Sequence, residues 1–247
     1  MNSIKLFDPV ISSKEEKAIL KVLKSKFWAS GSGTGKVKQF ETEFKHYTNS
    51  KSCVSVNSGT GALHLALSLF DLSNKEVIIP SLSFVSTAHA VVYNGAKPIF
   101  AEIDPKTLCI DPDDISRLIT NKTKAILPVH FAGIPSNLKK IKNICKENNL
   151  YLIEDAAHAS GSKYGGKKIG SHGDAVCFSF HPVKNLAMPT GGAITLNKNS
   201  QKFETLLHSR RWCGISNRKG INYDVNELGW NYYMNEFSAA MGVEQLK

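Results

Sequence analysis

The chain has 247 residues, 42% of them hydrophobic, and its 31 Lys and Arg residues exceed its 21 Asp and Glu residues to give a formal charge of +10. This composition is that of a globular protein, and the length suits one large α/β domain, or one and a fraction. The basic residues are scattered along the sequence, so the charge predicts a mild attraction for anionic small molecules and no nucleic-acid-binding arm.

Cysteine spacing and hydropathy indicate a reducing compartment. The five cysteines, at positions 53, 109, 145, 177 and 213, include no CxxC pair, which argues against a disulfide framework and against a zinc finger. Residues 1–6 are short and polar, so no signal peptide is expected, and no apolar run approaches the ~20 residues that span a bilayer. We therefore expect a cytoplasmic protein without a membrane segment or a metal site.

The first 35 residues predict a helix followed by a loop. Ser12 precedes Glu15 by three residues, which is the pattern of a helix N-cap. The glycine-rich residues 33–36 (GTGK) superficially match a phosphate-binding P-loop. They fail its spacing, because Ser30 and Val37 occupy the positions of the first Gly and of the Ser/Thr, and a helix precedes them where a strand is required. We interpret this stretch as a flexible loop.

A strand, turn and helix unit follows that can hold a phosphate. The predicted strand 53–56 leads into the glycine-rich residues 57–62 and then a helix over 63–70. Backbone N–H groups at such a helix N-terminus bind phosphate. His64 occupies the third glycine position of a dinucleotide fingerprint, and no acidic residue ends the next strand, so a single phosphate is favoured over a pyrophosphate. The alternative, a glycine turn that only connects two elements, stays open at this point.

Strands and helices then alternate. Further strands are predicted over 77–79, 97–102 with an extension at 108–111, 123–128, 151–155, 175–180 and 192–196. Further helices are predicted over 37–47, 86–94, 114–119, 137–148, 203–212 and 235–246. The order predicts an α/β fold with a mostly parallel, helix-covered sheet. Residues 214–228 read as a long polar loop, a kind of segment that is usually functional or disordered.

Several predicted strand ends carry polar or reactive side chains. These are Gly59 and Thr60, Ser83 and Phe84, His130, Asp155 and His158, and Ser179 and Lys184. The carboxyl ends of parallel strands share one sheet edge, so the groups can meet in one crevice. An amine, a carboxylate, a phosphate cup and an aromatic ring are the parts of a pyridoxal phosphate site. Considered singly, Lys184 is a solvated lysine, Asp155 a helix cap and Phe84 a core aromatic.

The joint pattern of motifs resembles the DegT/DnrJ/StrS-type sugar aminotransferases, a branch of the fold-type-I pyridoxal phosphate enzymes, over nearly the whole chain. The motifs are NSGTGALH (57–64), PSLSFVST (80–87), AILPVHFAG (125–133), IEDAAHASG (153–161), FSFHPVK (178–184), GWNY (229–232) and EFSAA (236–240). The resemblance implies a three-layer α/β/α large domain like that of aspartate aminotransferase.

The same resemblance implies pyridoxal 5′-phosphate as the cofactor and assigns it a set of ring contacts. Lys184 would hold the cofactor through a Schiff base and then move the proton as base and acid. Asp155 would pair with the pyridine nitrogen and keep it protonated. His158 would lie near the ring oxygen, and Phe84 would stack on the ring.

The resemblance also implies how the phosphate is held. Gly59, Thr60 and Ser179 would bind the phosphate within one subunit. Asn231 would reach the phosphate of the cofactor in a partner subunit, so the active site would be shared within a homodimer.

The implied reaction moves an amino group, from glutamate, to a nucleotide-linked keto-sugar in amino-sugar and surface-polysaccharide or O-antigen biosynthesis. Residues 31–35 and 214–228 would approach the nucleotide sugar. The sequence HPVK at 181–184 resembles the branch that aminates 4-keto UDP-sugars. Two departures stand out: Thr190 follows a proline where the family usually has Gly-Glu or Ala-Glu, and Tyr233 replaces an arginine.

The family's chains run well beyond residue 247 into a segment that builds most of a small domain. We therefore expect an N-terminal helix and loop (1–35), a cofactor-binding large domain (36–235) and the start of a helix leading to a largely missing C-terminal domain (236–247). The alternative hypothesis is a truncated or split-gene fragment that binds the cofactor without independent activity. A lyase acting on amino acids is a third.

Overall fold

A computed structural model describes residue 5 and residues 8–247. Two predictions therefore fall partly outside the described residues. They are the absence of a signal peptide in residues 1–6 and the start of the segment 1–35, of which residue 5 is described. The helices are α1 Ser13–Ser25, α2 Gly35–Thr48, α3 Gly59–Leu67, α4 Val85–Tyr93, α5 Pro112–Leu118, α6 Leu138–Glu147, α7 Ser200–Arg210 and α8 Glu236–Gln245, with a short 3₁₀ turn at Phe131–Gly133. The strands are β1 Ser52–Val56, β2 Glu76–Pro80, β3 Lys97–Ala101, β4 Thr123–Ile126, β5 Tyr151–Asp155, β6 Lys163–Tyr164, β7 Lys167–Lys168, β8 Ala175–Ser179, β9 Gly192–Leu196, β10 Ile215–Lys219 and β11 Asn222–Val225.

Seven strands form one sheet in the order β1-β9-β8-β5-β4-β2-β3. The neighbours from β8 to β3 are all parallel, while β9 is antiparallel to both β8 and β1. Six strands therefore point the same way, and their carboxyl ends lie at one edge of the sheet. The predicted α/β fold with a mostly parallel sheet is confirmed.

Each face of the sheet packs on its own hydrophobic core, which gives the expected three layers. One core joins the sheet to α2, α5, α6 and α8, and the other joins it to α3, α4 and α7. Successive side chains of a strand point to opposite faces, so on β5 Leu152 enters the first core and Ile153 the second. The next two residues, Glu154 and Asp155, are separated by the same alternation.

Two predicted boundaries were wrong for local reasons. Helix α3 begins at Gly59 and not at residue 63, because the Ser58 hydroxyl caps it by accepting a hydrogen bond from the Gly61 amide at 3.0 Å. Residues 108–111 do not extend β3. Leu108 has a positive φ of 59°, and the chain turns back to form a single antiparallel bridge between Ile103 and Ile110.

Two polar segments also differ from their predictions. Residues 214–228 contain the antiparallel hairpin β10–β11, with a bulge between Ser216 and Lys219, and are not a simple loop. The hairpin carries no buried face that would produce an apolar alternation, since all four residues of β11 are exposed. The loop before α2 is packed and not free, because Gly31 and Gly33 are buried against Trp212 and Arg211.

Helix α8 packs against helix α2. The Glu236 carboxylate at the start of α8 accepts a hydrogen bond from the Lys36 amide at 2.6 Å and thereby caps α2. Ala239 and Val243 of α8 enter the same core as α2. Among the described residues, no helix combines the length and hydropathy needed to cross a bilayer.

Candidate active site

A cavity of about 340 Å³ opens at the carboxyl edge of the parallel strands. The resemblance to the family assigned eight residues to the cofactor, and seven of them line this cavity: Gly59, Thr60, Phe84, Asp155, His158, Ser179 and Lys184. They come from the ends of β5 and β8, from the N-termini of α3 and α4, and from the loops that follow β5 and β8. The βαβ order thus brings together side chains that are far apart in the sequence.

The N-terminus of α3 forms a cup beside the end of β8. The Ser58 hydroxyl occupies the Gly61 amide, but within the described part of the chain the amides of Gly59 and Thr60 donate to no other group. A Cβ at Gly59 would lie 2.7 Å from Cβ of Ser179, so only glycine allows this close approach. Free amides at a helix N-terminus, next to the hydroxyls of Thr60 and Ser179, favour the binding of a phosphate group.

Lys184 lies in a loop closed at its base by the end of β8. The Phe180 amide donates to the Gly191 carbonyl at 2.9 Å, and the Lys184 amide donates to the His181 carbonyl at 2.8 Å. The side chain is half-buried, and this burial lowers its pKa, although the negative charge of Asp155 opposes the change. A lower pKa leaves more of the amine uncharged and able to act as a nucleophile.

Asp155 is the buried carboxylate of the cavity, with 5% of its surface exposed. Its Oδ2 accepts a hydrogen bond from Oγ1 of Thr87 at 2.8 Å, and its Oδ1 accepts one from the Ala157 amide at 3.1 Å. The alternative reading of Asp155 as a helix cap is wrong, since the residues that follow it form turns and no helix begins in the described stretch 156–174.

Phe84 precedes α4 and is 74% exposed, although it is a large apolar side chain. The alternative reading of Phe84 as a core aromatic is therefore wrong. An exposed ring that lines a cavity is free to pack against a flat ligand, which is the geometry that an aromatic cofactor requires.

His158 faces the cavity from the loop after β5. The Ala132 amide donates to its Nδ1 at 3.3 Å, so the neutral ring carries its proton on Nε2 and can donate that proton to a ligand. Burial and the nearby charge of Lys184 lower the pKa of His158, while Asp155 opposes them. Ala132 itself has a positive φ of 50°, an uncommon conformation for alanine.

Two predicted residues lie outside the cavity. His130 was expected among the converging groups, but it is fully buried and its Nε2 pairs with Oε2 of Glu154 at 2.8 Å. Strand alternation explains the correction: Val129 pairs with Asp155 in a parallel bridge and lines the cavity, so the following residue points away. Asn231 is exposed and outside its own cavity, and its carbonyl accepts from Nδ2 of Asn57 at 3.3 Å.

Four further hydroxyl groups belong to the site, and of these only Ser83 was expected at this edge of the sheet. Ser83 and Thr87 connect to Asp155, the Ser86 hydroxyl lies 2.8 Å from Oγ1 of Thr60, and Oγ1 of Thr190 donates to the Asn57 carbonyl at 2.6 Å. The four-residue spacing of Ser83 and Thr87 across the start of a helix was the available signal, because residues so spaced share one helix face.

The residues present fit pyridoxal phosphate. Free helix amides suit its phosphate, an exposed aromatic ring suits its flat face, and a carboxylate anchored at both oxygens suits a protonated ring nitrogen. Lys184 supplies an amine whose pKa burial lowers. The donor set therefore matches each part of this cofactor separately.

Comparisons with known proteins agree with this fit. A profile of the DegT/DnrJ/EryC1/StrS aminotransferase family matches residues 9–247. The chain is 38% identical over 246 residues to the spore coat polysaccharide biosynthesis protein SpsC of Bacillus subtilis, covering 97% of this chain and 62% of SpsC. It is 36% identical over 248 residues to the GDP-perosamine synthase of Escherichia coli O157:H7, covering 100% of this chain and 66% of that enzyme.

A solved structure gives the same result for the fold. Helicobacter pylori PseC, an aminotransferase involved in the biosynthesis of pseudaminic acid, superposes with a TM-score of 0.93 at 29% identity, over 99% of this chain and 65% of PseC. The chain thus spans less than two thirds of the length of these relatives.

Proposed function

The chain belongs to the DegT/DnrJ/EryC1/StrS aminotransferase family, whose members depend on pyridoxal phosphate, and from this premise we propose that it transfers an amino group to a nucleotide-linked keto-sugar. The observation that carries the proposal is that Lys184 and Asp155 share one cavity with the free amides of Gly59 and Thr60. An amine, a buried charge and a phosphate cup are then within reach of one small cofactor.

Each side chain has a separate task in this proposal. The cofactor, when bound, supplies an electron sink for the carbon that exchanges its amino group. Lys184 binds the cofactor covalently and afterwards moves the proton on its Nζ. Asp155 places negative charge against the ring nitrogen, His158 donates its Nε2 proton to the ring oxygen, and Phe84 packs on the ring face.

Contacts to the phosphate group of pyridoxal phosphate would hold the cofactor independently of its covalent bond to Lys184. We assign its binding to the amides of Gly59 and Thr60 together with the hydroxyls of Thr60 and Ser179. The helix dipole of α3 adds positive potential at the same point.

The proposed substrate class rests on the relatives. One is named as a GDP-perosamine synthase, one for spore coat polysaccharide biosynthesis and one for pseudaminic acid biosynthesis. We propose a nucleotide-linked keto-sugar as the acceptor, L-glutamate as the amino donor, and an amino-sugar for a surface polysaccharide such as an O-antigen as the destination. The formal charge of +10 favours such anionic substrates.

We also propose that two copies of the chain pair and share their active sites. Asn231 is exposed and cannot serve its own cavity, which is expected of a residue offered to a partner. Val85, Val92 and Tyr93 on α4 are each more than half exposed, and they extend an apolar stripe along the helix from Phe84, which lines the cavity. A second copy is the partner that would cover this stripe and bring Asn231 to the phosphate.

We place the reaction in the cytoplasm. All five cysteines lie within the described residues and are free, and four of them are buried. Unpaired thiols in a folded chain suit a reducing compartment.

The main test uses purified protein with added pyridoxal phosphate. We expect a visible absorbance band that glutamate discharges and that Lys184→Ala abolishes, while the control variant Lys168→Ala, whose amine lies over the Tyr47 ring, keeps the band. A panel of nucleotide-linked keto-sugars then identifies the acceptor by restoring the band. A wild-type protein that carries no visible band after the unbound cofactor has been removed would contradict the proposal.

The shared site has its own test. Lys184→Ala retains Asn231, and Asn231→Ala retains Lys184, so a mixed dimer of the two variants contains one complete site. We expect the mixture to recover activity that neither variant has alone. Mixtures that remain as inactive as the separate variants, although mass measurement shows mixed dimers, would overturn the shared site.

A further inference from the structure

Thr87 is a fully buried residue in the first turn of α4, and its side chain reaches the carboxylate at the end of β5. Its Oγ1 lies 2.8 Å from Oδ2 of Asp155 and 2.5 Å from Oγ of Ser83. Three oxygen-bearing side chains from the α4 segment and β5 therefore form one continuous chain. Its outer member is Ser83, and both Ser83 and Thr87 border the cavity.

The direction of the protons along this chain follows from chemistry. An ionised carboxylate only accepts hydrogen bonds, so Thr87 must donate its single hydroxyl proton to Asp155. The oxygen of Thr87 then accepts from Ser83, whose other available acceptor, the Phe84 carbonyl, is more distant at 3.2 Å. Each hydroxyl is thus polarised toward the carboxylate, and successive hydrogen bonds of this kind strengthen one another.

The other carboxylate oxygen is held as well. Oδ1 of Asp155 accepts from the Ala157 amide at 3.1 Å, so the group is fixed at both ends. A carboxylate oxygen can accept about two hydrogen bonds, and one bond on each oxygen leaves each with one further acceptor site. The carboxylate is therefore oriented before a ligand arrives, which is the arrangement that lowers the cost of binding.

We infer that Thr87 is a positioning residue for the proposed cofactor: it fixes the orientation of the Asp155 carboxylate, and Ser83 completes the relay by orienting Thr87. The inference rests on the proposed function and adds to it a support that the ring contacts themselves do not include. Neither hydroxyl needs to touch the cofactor for this role.

The test compares Thr87→Val, which removes the hydroxyl at nearly constant volume, with Thr87→Ser, which keeps it. Thr195→Val is the matched control, because Thr195 is also fully buried and donates to the Gly170 carbonyl at 2.8 Å, away from the cavity. Two quantities are measured: the dissociation constant of pyridoxal phosphate, and the pH midpoint at which the visible band of the bound cofactor titrates.

We expect Thr87→Val to weaken cofactor binding about tenfold, the effect of one charge-assisted hydrogen bond. We also expect its pH midpoint to rise, since an Asp155 carboxylate that is no longer held in place would stabilise a protonated ring nitrogen less well. Lys184, His158 and His181 are the other titratable groups that line the cavity with Asp155, and Cys177 lies behind it; all four are unchanged in the variant. Thr87→Ser and Thr195→Val should match the wild type in both quantities.

Ser83→Ala provides a second route, because Ser83 is half-buried at the cavity wall and its loss does not threaten the fold. It should shift the midpoint in the same direction by a smaller amount, and this holds even if Thr87→Val fails to fold. Cofactor binding and midpoints equal to wild type in both Thr87→Val and Ser83→Ala would overturn the inference while leaving the proposed function intact. A colourless wild-type protein would remove both.

Discussion

Two buried carboxylates lie side by side on β5, and they belong to opposite kinds of environment. Glu154 is part of a closed cluster formed with His130, Ser136 and Gly173: its Oε2 pairs with Nε2 of His130 at 2.8 Å, its Oε1 accepts from the Gly173 amide, and Nδ1 of His130 accepts from the Ser136 amide at 3.1 Å. Asp155 is held by Thr87 and faces the cavity.

The difference shows that burial and charge do not by themselves mark a functional site. Both carboxylates are almost fully buried. In the closed cluster, hydrogen bonds within the protein engage both carboxylate oxygens and both ring nitrogens, so the cluster serves the fold. At the cavity, the amides of Gly59 and Thr60, the Nε2 of His158 and the Asp155 oxygens retain bonding capacity toward a ligand. Unused bonding capacity is the property that separates the two regions.

The largest expected effect comes from removing the charge at the open carboxylate. Asp155→Asn should lower the rate of amino transfer about 10²- to 10³-fold, the usual loss when one electrostatic contact to the reacting system is removed. The fold should survive, because an amide can still accept from Ala157. The measurements are turnover with glutamate and unfolding of the cofactor-free protein in urea. Asp114→Asn is the control: Asp114 is a buried carboxylate that binds the Glu102 amide far from the cavity, and its loss should leave turnover per folded molecule unchanged.

Breaking the closed cluster around Glu154 should lower the stability of the fold and leave cofactor affinity unchanged. His130→Ala leaves the buried Glu154 carboxylate with one partner fewer and opens a void, so we expect unfolding free energy to fall by about 3 kcal/mol. Cofactor affinity of the molecules that remain folded should match the wild type. Urea unfolding of the cofactor-free protein tests the first statement, with the exposed His89→Ala as the control, for which surface substitution predicts a change within about 0.5 kcal/mol. A loss below about 1 kcal/mol in His130→Ala would contradict the structural role of the cluster.

The fold and most of the open region could be predicted from the sequence, because βαβ topology alone places the ends of β5 and β8 at one edge. The glycine-rich start of α3 and the lysine after β8 are local sequence motifs, and they could be predicted in the same way. The position of His130 was not predictable without the register: the bridge from Val129 to Asp155 lies beyond the end of β4 and fixes which of two neighbouring residues faces inward.

Long-range contacts account for the other limits of the sequence analysis. The link from Thr87 to Asp155 joins residues 68 positions apart in the sequence, and nothing local to either one indicates it. The hairpin β10–β11 has no buried face, so its strands carry no apolar alternation. The role assigned to Asn231 depends on a second chain and stays a prediction.

A smaller effect is expected at the aromatic wall of the open region. Phe84→Leu should weaken cofactor binding by about 0.5–1.5 kcal/mol, the value of an aromatic contact beyond its buried area. The unfolding free energy of the cofactor-free protein should change by less than about 0.5 kcal/mol, since the Phe84 side chain is 74% exposed. Phe100→Leu is a matched control, because Phe100 is 56% exposed on the edge strand β3 and does not line the cavity. Equal losses of cofactor affinity in both variants would show that Phe84 has no specific contact with the ring.

The smallest expected effect is on stability as a function of pH, and it tests the open region without any cofactor. Burial lowers the pKa of Lys184 in the folded protein, whereas the unfolded chain keeps the ordinary lysine value. Between these two pKa values the unfolded state binds more protons, so the destabilisation caused by burying the charge is complete below the folded pKa and disappears as pH rises through the window. Lys184→Met should therefore be slightly more stable than the wild type at neutral pH, and the gap should narrow toward the alkaline range. The gap should be small because the side chain is only half-buried and solvent screens its charge.

Urea unfolding of the two cofactor-free proteins at several pH values measures this difference in stability, with Lys202→Met on the exposed face of α7 as the control. A gap that widens with rising pH would mean that Lys184 gains stabilising partners in the free protein, and the distinction between an open and a closed polar region would then fail at its central residue.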